Sequence, residues 1–167
     1  MFNILVNTEY QWLFEKLKSE SPVLFSIKLA DLSSPDEKLY KQLVKTNAII
    51  GQKINLSDEQ YEAAGNLQII QTLSAGFEHI DLAKAKKRNV YVANNNGANA
   101  ESVAEHVLML ILALYRQLLF HHNSVTKGTW TCLKYQNRGL SGKTLGIFGL
   151  GNTGKALARR ASAFGVK

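Results

Sequence analysis

The sequence contains little cysteine and little proline, with one Cys and two Pro among 167 residues. The single cysteine, Cys132, excludes an internal disulfide framework and fits a reducing compartment. The longest apolar run covers residues 107–115 and is far shorter than the roughly 20 residues needed to cross a bilayer. The N-terminus lacks the basic segment and the long apolar core of a signal peptide. These absences predict a cytoplasmic protein without a membrane partner.

Acidic residues are absent after Glu105, so the charge is distributed unevenly. Residues 106–167 carry nine Lys or Arg and no acid, a formal charge of +9, whereas residues 1–105 carry 11 basic and 13 acidic residues, a charge of −2. A basic half of this kind is one signature of a nucleic-acid surface. The basic residues form no dense cluster with interleaved aromatics, however. We therefore favour the alternative that acidic residues of the same fold lie beyond Lys167, and nucleic acid is not expected as a partner.

Short apolar segments alternate with amphipathic ones over the first hundred residues. The apolar segments predict five strands, at residues 2–7, 23–29, 48–51, 67–73 and 90–93. Helices are predicted over residues 9–19, from an N-cap at Ser34 to about Val44, after an N-cap at Ser57, and from Asp81. Strands separated by helices of about ten residues indicate right-handed βαβ units and a parallel sheet. Residues 1–99 are thus predicted to form a flavodoxin-like α/β domain.

The periodicity changes at residue 100. Residues 100–125 predict one long helix that is apolar almost all round and therefore buried between two domains. A polar connection follows over residues 127–141, then a buried strand at 144–148 and a helix that Gly165 ends. Residues 100–167 are predicted to be a linking helix and the first βα unit of a truncated Rossmann domain.

Between that strand and its helix lies the motif G-x-G-x-x-G, formed by Gly149, Gly151 and Gly154. The first glycine permits a tight turn, the second permits close approach of a pyrophosphate, and the third permits packing of the helix on the strand. The backbone N–H groups of Asn152 and Thr153 stand at the positive end of the helix and suit phosphate. A tight turn without ligand is the alternative, but the strand before it and the helix after it favour a dinucleotide site.

Two further segments are candidates for ligand binding. Ser74-Ala75-Gly76-Phe77 follows the fourth predicted strand, and ligands bind at the carboxyl ends of strands in open α/β sheets. Consecutive N–H groups on such a turn suit a carboxylate, although an ordinary turn is equally compatible with the residues. Asn99 precedes the long helix and either caps it or points its amide into a cleft, with capping favoured by the sequence. The four histidines and Cys132 have no metal-site spacing, so no metal is expected.

Taken together, these motifs resemble the D-isomer-specific 2-hydroxyacid dehydrogenases, a family that includes phosphoglycerate dehydrogenase, glyoxylate/hydroxypyruvate reductase and formate dehydrogenase. Four blocks agree in order and spacing from about Asn66 onward. They are residues 74–81 (SAGFEHID), 99–106 (NAESVAEH), 128–130 (GTW) and 140–154 (LSGKTLGIFGLGNTG).

The resemblance implies a substrate domain followed by a domain for NAD or NADP. It implies that the backbone of Ala75 and Gly76 holds the substrate carboxylate, that Asn99 faces the substrate, and that Val103 approaches the nicotinamide. It also assigns the pyrophosphate to residues 149–154. The arginine, acid and histidine that the family uses for catalysis lie after the glycine loop and are absent here. The resemblance therefore implies no catalytic residue in this chain and no activity of the chain alone.

The resemblance leaves the substrate open between a plain short 2-hydroxy or 2-oxo acid and 3-phosphoglycerate. Gly51 stands where phosphoglycerate dehydrogenases have an arginine, and Lys53 is nearby. Three functional hypotheses follow: part of a working dehydrogenase that is a homodimer when complete, a shortened non-catalytic relative that binds a ligand or partner, and a nucleic-acid-binding protein. Half a Rossmann domain exposes apolar surface, so we expect the chain to self-associate or to be unstable.

Overall fold

The structure is a computed structural model and describes residues 1–130 and 138–167. Two compact units divide the chain, Met1–Asn96 and Gly97–Lys167. The sequence placed this boundary after residue 99. Cys132, to which the sequence assigned no role, lies outside the described residues.

The first unit contains a parallel five-stranded sheet with the strand order β2-β1-β3-β4-β5. Its strands are β1 (Phe2–Asn7), β2 (Phe25–Ala30), β3 (Ala48–Gly51), β4 (Ile69–Thr72) and β5 (Tyr91–Ala93). This order is that of a flavodoxin-like fold and confirms the predicted fold class. Because all strands are parallel, their carboxyl ends meet at one edge of the sheet, where such folds bind ligands.

Four α-helices connect these strands: α1 (Gln11–Glu20), α2 (Glu37–Leu43), α3 (Asp58–Ala63) and α4 (Leu82–Lys87). Ser57 forms the predicted cap of α3, in a full capping box with Gln60. The predicted cap of α2 is wrong. Asp36, not Ser34, accepts the hydrogen bond from the Leu39 N–H, so the helix begins two residues later. An aspartate is as good an N-cap as a serine, and the sequence offered both.

The core of the first unit lies on the sheet face that carries α2, α3 and α4. Aliphatic side chains from β1, β3 and β4 meet those of the helices there, with Leu5, Ile49 and Ile70 almost entirely buried. Burial of this apolar area is the main term that stabilises the unit. The carboxyl-end loops of the strands are therefore held on a rigid support.

The second unit contains three α-helices among its described residues: α5 (Ala100–Tyr115), α6 (Leu118–Thr126) and α7 (Asn152–Ser162). The prediction of one long helix over residues 100–125 is wrong. The chain bends by 62° between α5 and α6, and Gln117 takes a left-handed conformation with φ of 47°. A non-glycine residue in that region is uncommon. Apolar periodicity does not report backbone dihedral angles, so it gave no signal for the break.

The prediction that the apolar helix is buried is also wrong in this chain. One face of α5, with Ala104 and Leu108, packs against Ala156, Leu157 and Ala161 of α7. The opposite face leaves large side chains exposed, and Leu114 is 77% exposed. Within the described residues, no single helix is long and apolar enough to span a membrane, although the bent pair of α5 and α6 meets that length and composition when taken together.

Residues 144–148 were predicted to form a strand, and they do not belong to a sheet. Two backbone hydrogen bonds join this segment to Lys167: Leu145 N–H donates to Lys167 O at 2.8 Å, and Lys167 N–H donates to Lys143 O at 2.7 Å. This is the alternating pattern of a parallel pair. The pairing stops at that residue, so no ladder is formed. α7 ends at Ser162, two residues before the predicted end at about Phe164, and Gly165 follows in a left-handed conformation with φ of 66°.

Candidate functional site

The first candidate site is the turn that follows β4, residues 74–77, here called the β4 turn. Thr72, the last residue of β4, is fully buried, and its hydroxyl lies 3.0 Å from that of Ser74. The Ser74 N–H also donates to the Thr72 hydroxyl, at 3.3 Å. A buried threonine therefore anchors the start of the turn to the rigid sheet.

Each carbonyl of the turn accepts a hydrogen bond from the protein. The Asn95 N–H donates to Ser74 O at 3.0 Å, the Asn94 side-chain amide donates to Ala75 O at 2.7 Å, and the Ser74 hydroxyl donates to Gly76 O at 2.7 Å. Among the residues that the structure describes, the N–H groups of Ala75 and Gly76 donate to no acceptor. The turn thus presents two N–H donors whose own carbonyl groups are already bonded, which suits an anion such as a carboxylate.

Two side chains beside this turn were missed by the sequence analysis. The Glu78 carboxylate lies over Gly76, with Oε2 2.8 Å from the position that a Cβ atom on Gly76 would take. His79, expected to be structural, has a buried Nε2 that has no hydrogen-bond partner in the described part of the chain. Buried polar atoms are almost always paired, so this one is an exception within the first unit.

The neighbouring carboxyl ends of β1, β2 and β3 enclose a polar cavity of about 340 Å³. Lys53 lines it in a left-handed conformation, with φ of 46°. Glu9 and Asp31 line the same cavity, so acidic groups outnumber the lysine. Hydrogen bonds from the hydroxyl and the N–H of Ser33 lower the pKa of Asp31, which favours its charged form. The electrostatics here do not favour a phosphate.

Gly51, at the end of β3, is buried and tightly surrounded. A Cβ atom there would lie 3.1 Å from the Cβ of Asn7 on β1, closer than most Cβ contacts. This position therefore supplies no cation, and a side chain there would require Asn7 to shift.

The second candidate site is the glycine loop, residues 149–154, in the second unit. Gly149 has φ of 96°, a conformation that L-residues with side chains rarely adopt. A Cβ atom on Gly151 would enter open space, whereas one on Gly154 would collide with the carbonyl oxygen of Gly149. The three glycines therefore take the three roles that their spacing predicts, in turn geometry, open access and close packing.

The glycine loop leads directly into α7. Gly151 is the N-cap of this helix, no side chain caps its first turn, and no acidic residue lies there. The first N–H groups of α7, including that of Thr153, thus point away from the helix at its positive end. The Asn152 side chain lies beside Gly97. Its Nδ2 is 2.7 Å from the position that a Cβ on that glycine would take.

The remaining two predicted site residues lie at the start of α5. Asn99 occupies the N-cap position, but its side chain makes no capping hydrogen bond, so the capping hypothesis is wrong. Its amide is exposed. Val103, one turn further along, is 38% exposed. Both side chains are accessible, and no structural observation assigns them a ligand.

Ion pairs hold the start of α5 against α7. Glu101 pairs with Arg159 at 2.5 Å and with Arg160, and Glu105 pairs with Arg160 at 3.1 Å. The hydrogen bond from Arg159 lowers the pKa of Glu101 most, and the hydrogen bond from Arg160 and the charges of both arginines lower it further. Two of the nine basic residues after residue 105 are thus paired within their own unit, which weakens the argument for a nucleic-acid surface.

A flavodoxin-like parallel sheet, followed by a glycine loop at a helix N-terminus, defines an α/β protein with the loop typical of dinucleotide-binding folds. The chain belongs to the D-isomer specific 2-hydroxyacid dehydrogenase family, whose catalytic-domain description matches residues 7–164. The resemblance inferred from the sequence is thereby confirmed.

Individual relatives agree with this family. The chain is 42% identical over 106 residues to a hydroxypyruvate reductase of Thermotoga maritima, covering 64% of this chain and 35% of that protein. It is 36% identical over 140 residues to the chloroplastic/mitochondrial formate dehydrogenase of Arabidopsis thaliana, covering 81% of this chain and 36% of that protein. The chain thus spans little more than a third of the length of either relative.

Solved structures share the fold. The NAD-dependent formate dehydrogenase of Staphylococcus aureus, in complex with NAD, has a TM-score of 0.70 and 27% identity. The match covers 99% of this chain and 54% of that one. The chain therefore corresponds to about half of a dehydrogenase of this family.

Proposed function

We propose that this chain is the N-terminal part of an NAD(P)-dependent D-2-hydroxyacid dehydrogenase. Such an enzyme transfers a hydride between a nicotinamide and a short 2-hydroxy or 2-oxo acid. The observation that carries the proposal is the β4 turn, where the carbonyls of all four residues are bonded and the N–H groups of Ala75 and Gly76 are left to an anion. The named relatives act on acids that carry such a carboxylate.

In this proposal the two N–H groups of the β4 turn hold the substrate carboxylate. Backbone donors fixed by a sheet lose little freedom on binding, because the turn is already formed. Asn99 contributes its exposed amide to substrate binding, an assignment that rests on family resemblance and on its lack of a capping bond. We propose these substrate-binding roles for Ala75, Gly76 and Asn99.

The glycine loop fits a dinucleotide. Gly151 leaves open space, Gly154 lets α7 begin close to the loop, and the N–H groups of Asn152 and Thr153 suit a pyrophosphate. Val103 is accessible on α5 and is assigned to the nicotinamide side by resemblance. When bound, the nicotinamide supplies or accepts the hydride.

Binding alone does not complete the reaction. Hydride transfer to a 2-oxo acid needs a cation that polarises the carbonyl group and a donor for the proton. Ala75 and Gly76 offer neutral backbone N–H groups, and Asn99 offers a neutral amide. These residues orient the substrate but neither carry a positive charge nor release a proton. We therefore expect binding without turnover.

Amide-resolved NMR titration of the ¹⁵N-labelled chain tests both binding sites. We expect glyoxylate to shift the amide resonances of Ala75 and Gly76, and NADH to shift those of residues 149–154. Glycolamide is the matched control, since it has the size of a short hydroxy acid but no carboxylate. If glyoxylate leaves the β4 turn unchanged, or if glycolamide shifts it equally, the anion site is refuted.

We also propose that the complete protein is a homodimer that uses the exposed face of α5 and α6. Large apolar side chains on these helices are exposed, among them Leu110, Leu114, Leu118 and Leu119. Exposed apolar area of this kind marks interaction surfaces. A shortened non-catalytic relative that binds a partner protein would use the same surface, and the oligomeric state of the chain distinguishes the two.

A further inference from the structure

Glu78 places a negative charge directly beside the anion-binding turn. Its Oε2 lies 2.8 Å, and its Cδ 3.7 Å, from the position that a Cβ on Gly76 would take. Gly76 supplies one of the two N–H donors of the turn. Any anion bound there therefore lies within several ångströms of the Glu78 carboxylate, close enough for an appreciable Coulomb interaction.

Within residues 1–130 and 138–167, Glu78 forms no ion pair that would neutralise its charge. Glutamate side chains are negatively charged at neutral pH. The carboxylate is exposed, so solvent screens its field, but the screening is incomplete at distances shorter than the Debye length of about 8 Å.

The surroundings of the turn also lack a site for a second anionic group. Gly51 carries no side chain, and a Cβ there would lie 3.1 Å from that of Asn7, closer than most Cβ contacts. Lys53 shares its cavity with Glu9 and Asp31. A substrate with a phosphate or a second carboxylate would meet repulsion at Glu78 and, at the end of β3, one lysine outnumbered by two acidic residues.

We propose that Glu78 is a specificity-determining residue that selects substrates by charge. The β4 turn takes the single carboxylate of a monoanionic 2-oxo or 2-hydroxy acid, and Glu78 disfavours phosphorylated and dicarboxylic acids. This inference rests on the proposed function and narrows its substrate class. Discrimination by repulsion against the wrong ligand is a common route to specificity.

The repulsion must grow with the charge of the ligand. One unit charge several ångströms away, in partly screened surroundings, changes affinity by roughly three- to tenfold. Replacing Glu78 by glutamine keeps its size and removes its charge. Glu78→Gln should therefore raise the affinity of a monoanion by one such three- to tenfold factor. The affinity of a dianion should rise by about two such factors multiplied together.

Oxamate and oxalate are a matched pair for the test, because oxamate has an amide where oxalate has its second carboxylate. Their dissociation constants are measured from the Ala75 and Gly76 amide shifts, at neutral pH and constant ionic strength, for the unaltered chain, Glu78→Gln and Glu62→Gln. Glu62 is an exposed residue in the last turn of α3, which runs antiparallel to the strands and ends away from the β4 turn. Its substitution changes the net charge of the chain equally.

We expect Glu78→Gln to shift the oxalate-to-oxamate affinity ratio by roughly three- to tenfold in favour of oxalate, and Glu62→Gln to leave it unchanged. The spectra also show whether each variant is folded. If both ligands bind at the turn and Glu78→Gln leaves the ratio unchanged, or Glu62→Gln shifts it equally, charge selection by Glu78 is refuted while the proposed function stands. If neither ligand shifts the turn in any of the three proteins, the anion site fails and the inference fails with it.

Discussion

A Cβ atom on Gly154 would collide with the carbonyl oxygen of Gly149. The loop closes on the first turn of α7 because residue 154 has only a hydrogen atom at that point. Both partners belong to the backbone of the loop and helix, so neither yields cheaply. This contact gives the third glycine of the motif a steric reason that does not depend on any ligand.

Gly154→Ala is expected to destabilise the second unit by about 1–3 kcal/mol, the usual cost of overpacking. Helix propensity alone predicts the opposite sign, since alanine in a helix is favoured over glycine by about 1 kcal/mol. Urea unfolding shows whether the steric clash or the helix propensity dominates. Gly151→Ala is the control: its φ is −77° and its Cβ enters open space, so it should lose only the smaller amount by which alanine is a poorer N-cap than glycine. An unchanged or increased stability of Gly154→Ala would contradict the steric argument.

The pairing of Glu101 with two arginines predicts a pH dependence of stability. Its pKa is lowered in the folded state, so its contribution is fully present above the ordinary glutamate pKa and is lost as the pH falls through the lowered value. We expect the unaltered chain to lose more stability than Glu101→Gln over that acidic range. Denaturant midpoints measured against pH test this. High salt should reduce the difference, because the pair is exposed. Parallel pH profiles of the two proteins would argue against it.

The exposed side of α5 and α6 predicts self-association of the chain. We expect sedimentation velocity to show dimers or larger species whose proportion rises with concentration. Leu114→Glu should shift the distribution toward the monomer, since it places a charge on a side chain that is 77% exposed. Ser102→Glu adds the same charge elsewhere on α5 and should have little effect. A compact monomer at all concentrations would refute the predicted dimer surface.

The chain alone should show no turnover of glyoxylate with NADH. The carboxylate and pyrophosphate sites proposed above bind, but the residues assigned to them supply no cation and no proton donor. The measurement is the loss of NADH absorbance at high protein concentration, with binding verified in the same sample. A rate above that of a Gly76→Asp control, which blocks the anion site, would show that this chain holds catalytic groups after all.

Much of the fold follows from local patterns. The five strands, the Ser57 cap and the Asp81 cap were predicted, because each depends on neighbouring residues along the chain. The glycine loop was also predictable, since its three conformational demands have a fixed spacing. The break at Gln117 was not, because no glycine or proline marks it and leucines resume directly after it.

The candidate site was predictable only in part. The sequence located the β4 turn, which follows an apolar strand, but left it equally compatible with an ordinary turn. The bond from Asn94 to Ala75 O joins residues 19 positions apart, and only the folded sheet brings them together. Glu78 is close to Gly76 in sequence, yet its side-chain direction depends on the turn conformation.

The sequence by itself determined the family, the parallel α/β architecture and the glycine loop, because these are encoded in short motifs and in the periodicity of apolar residues. The tertiary structure decided which groups are left without a partner. The carbonyls of Ser74 and Ala75 are occupied by the backbone of Asn95 and the side chain of Asn94, while the N–H groups of Ala75 and Gly76 have no acceptor among the described residues. The outer face of α5 is exposed because α7 covers only one side of it. Hydrogen-bond satisfaction and burial are sums over long-range contacts, so they exist only once the chain is folded.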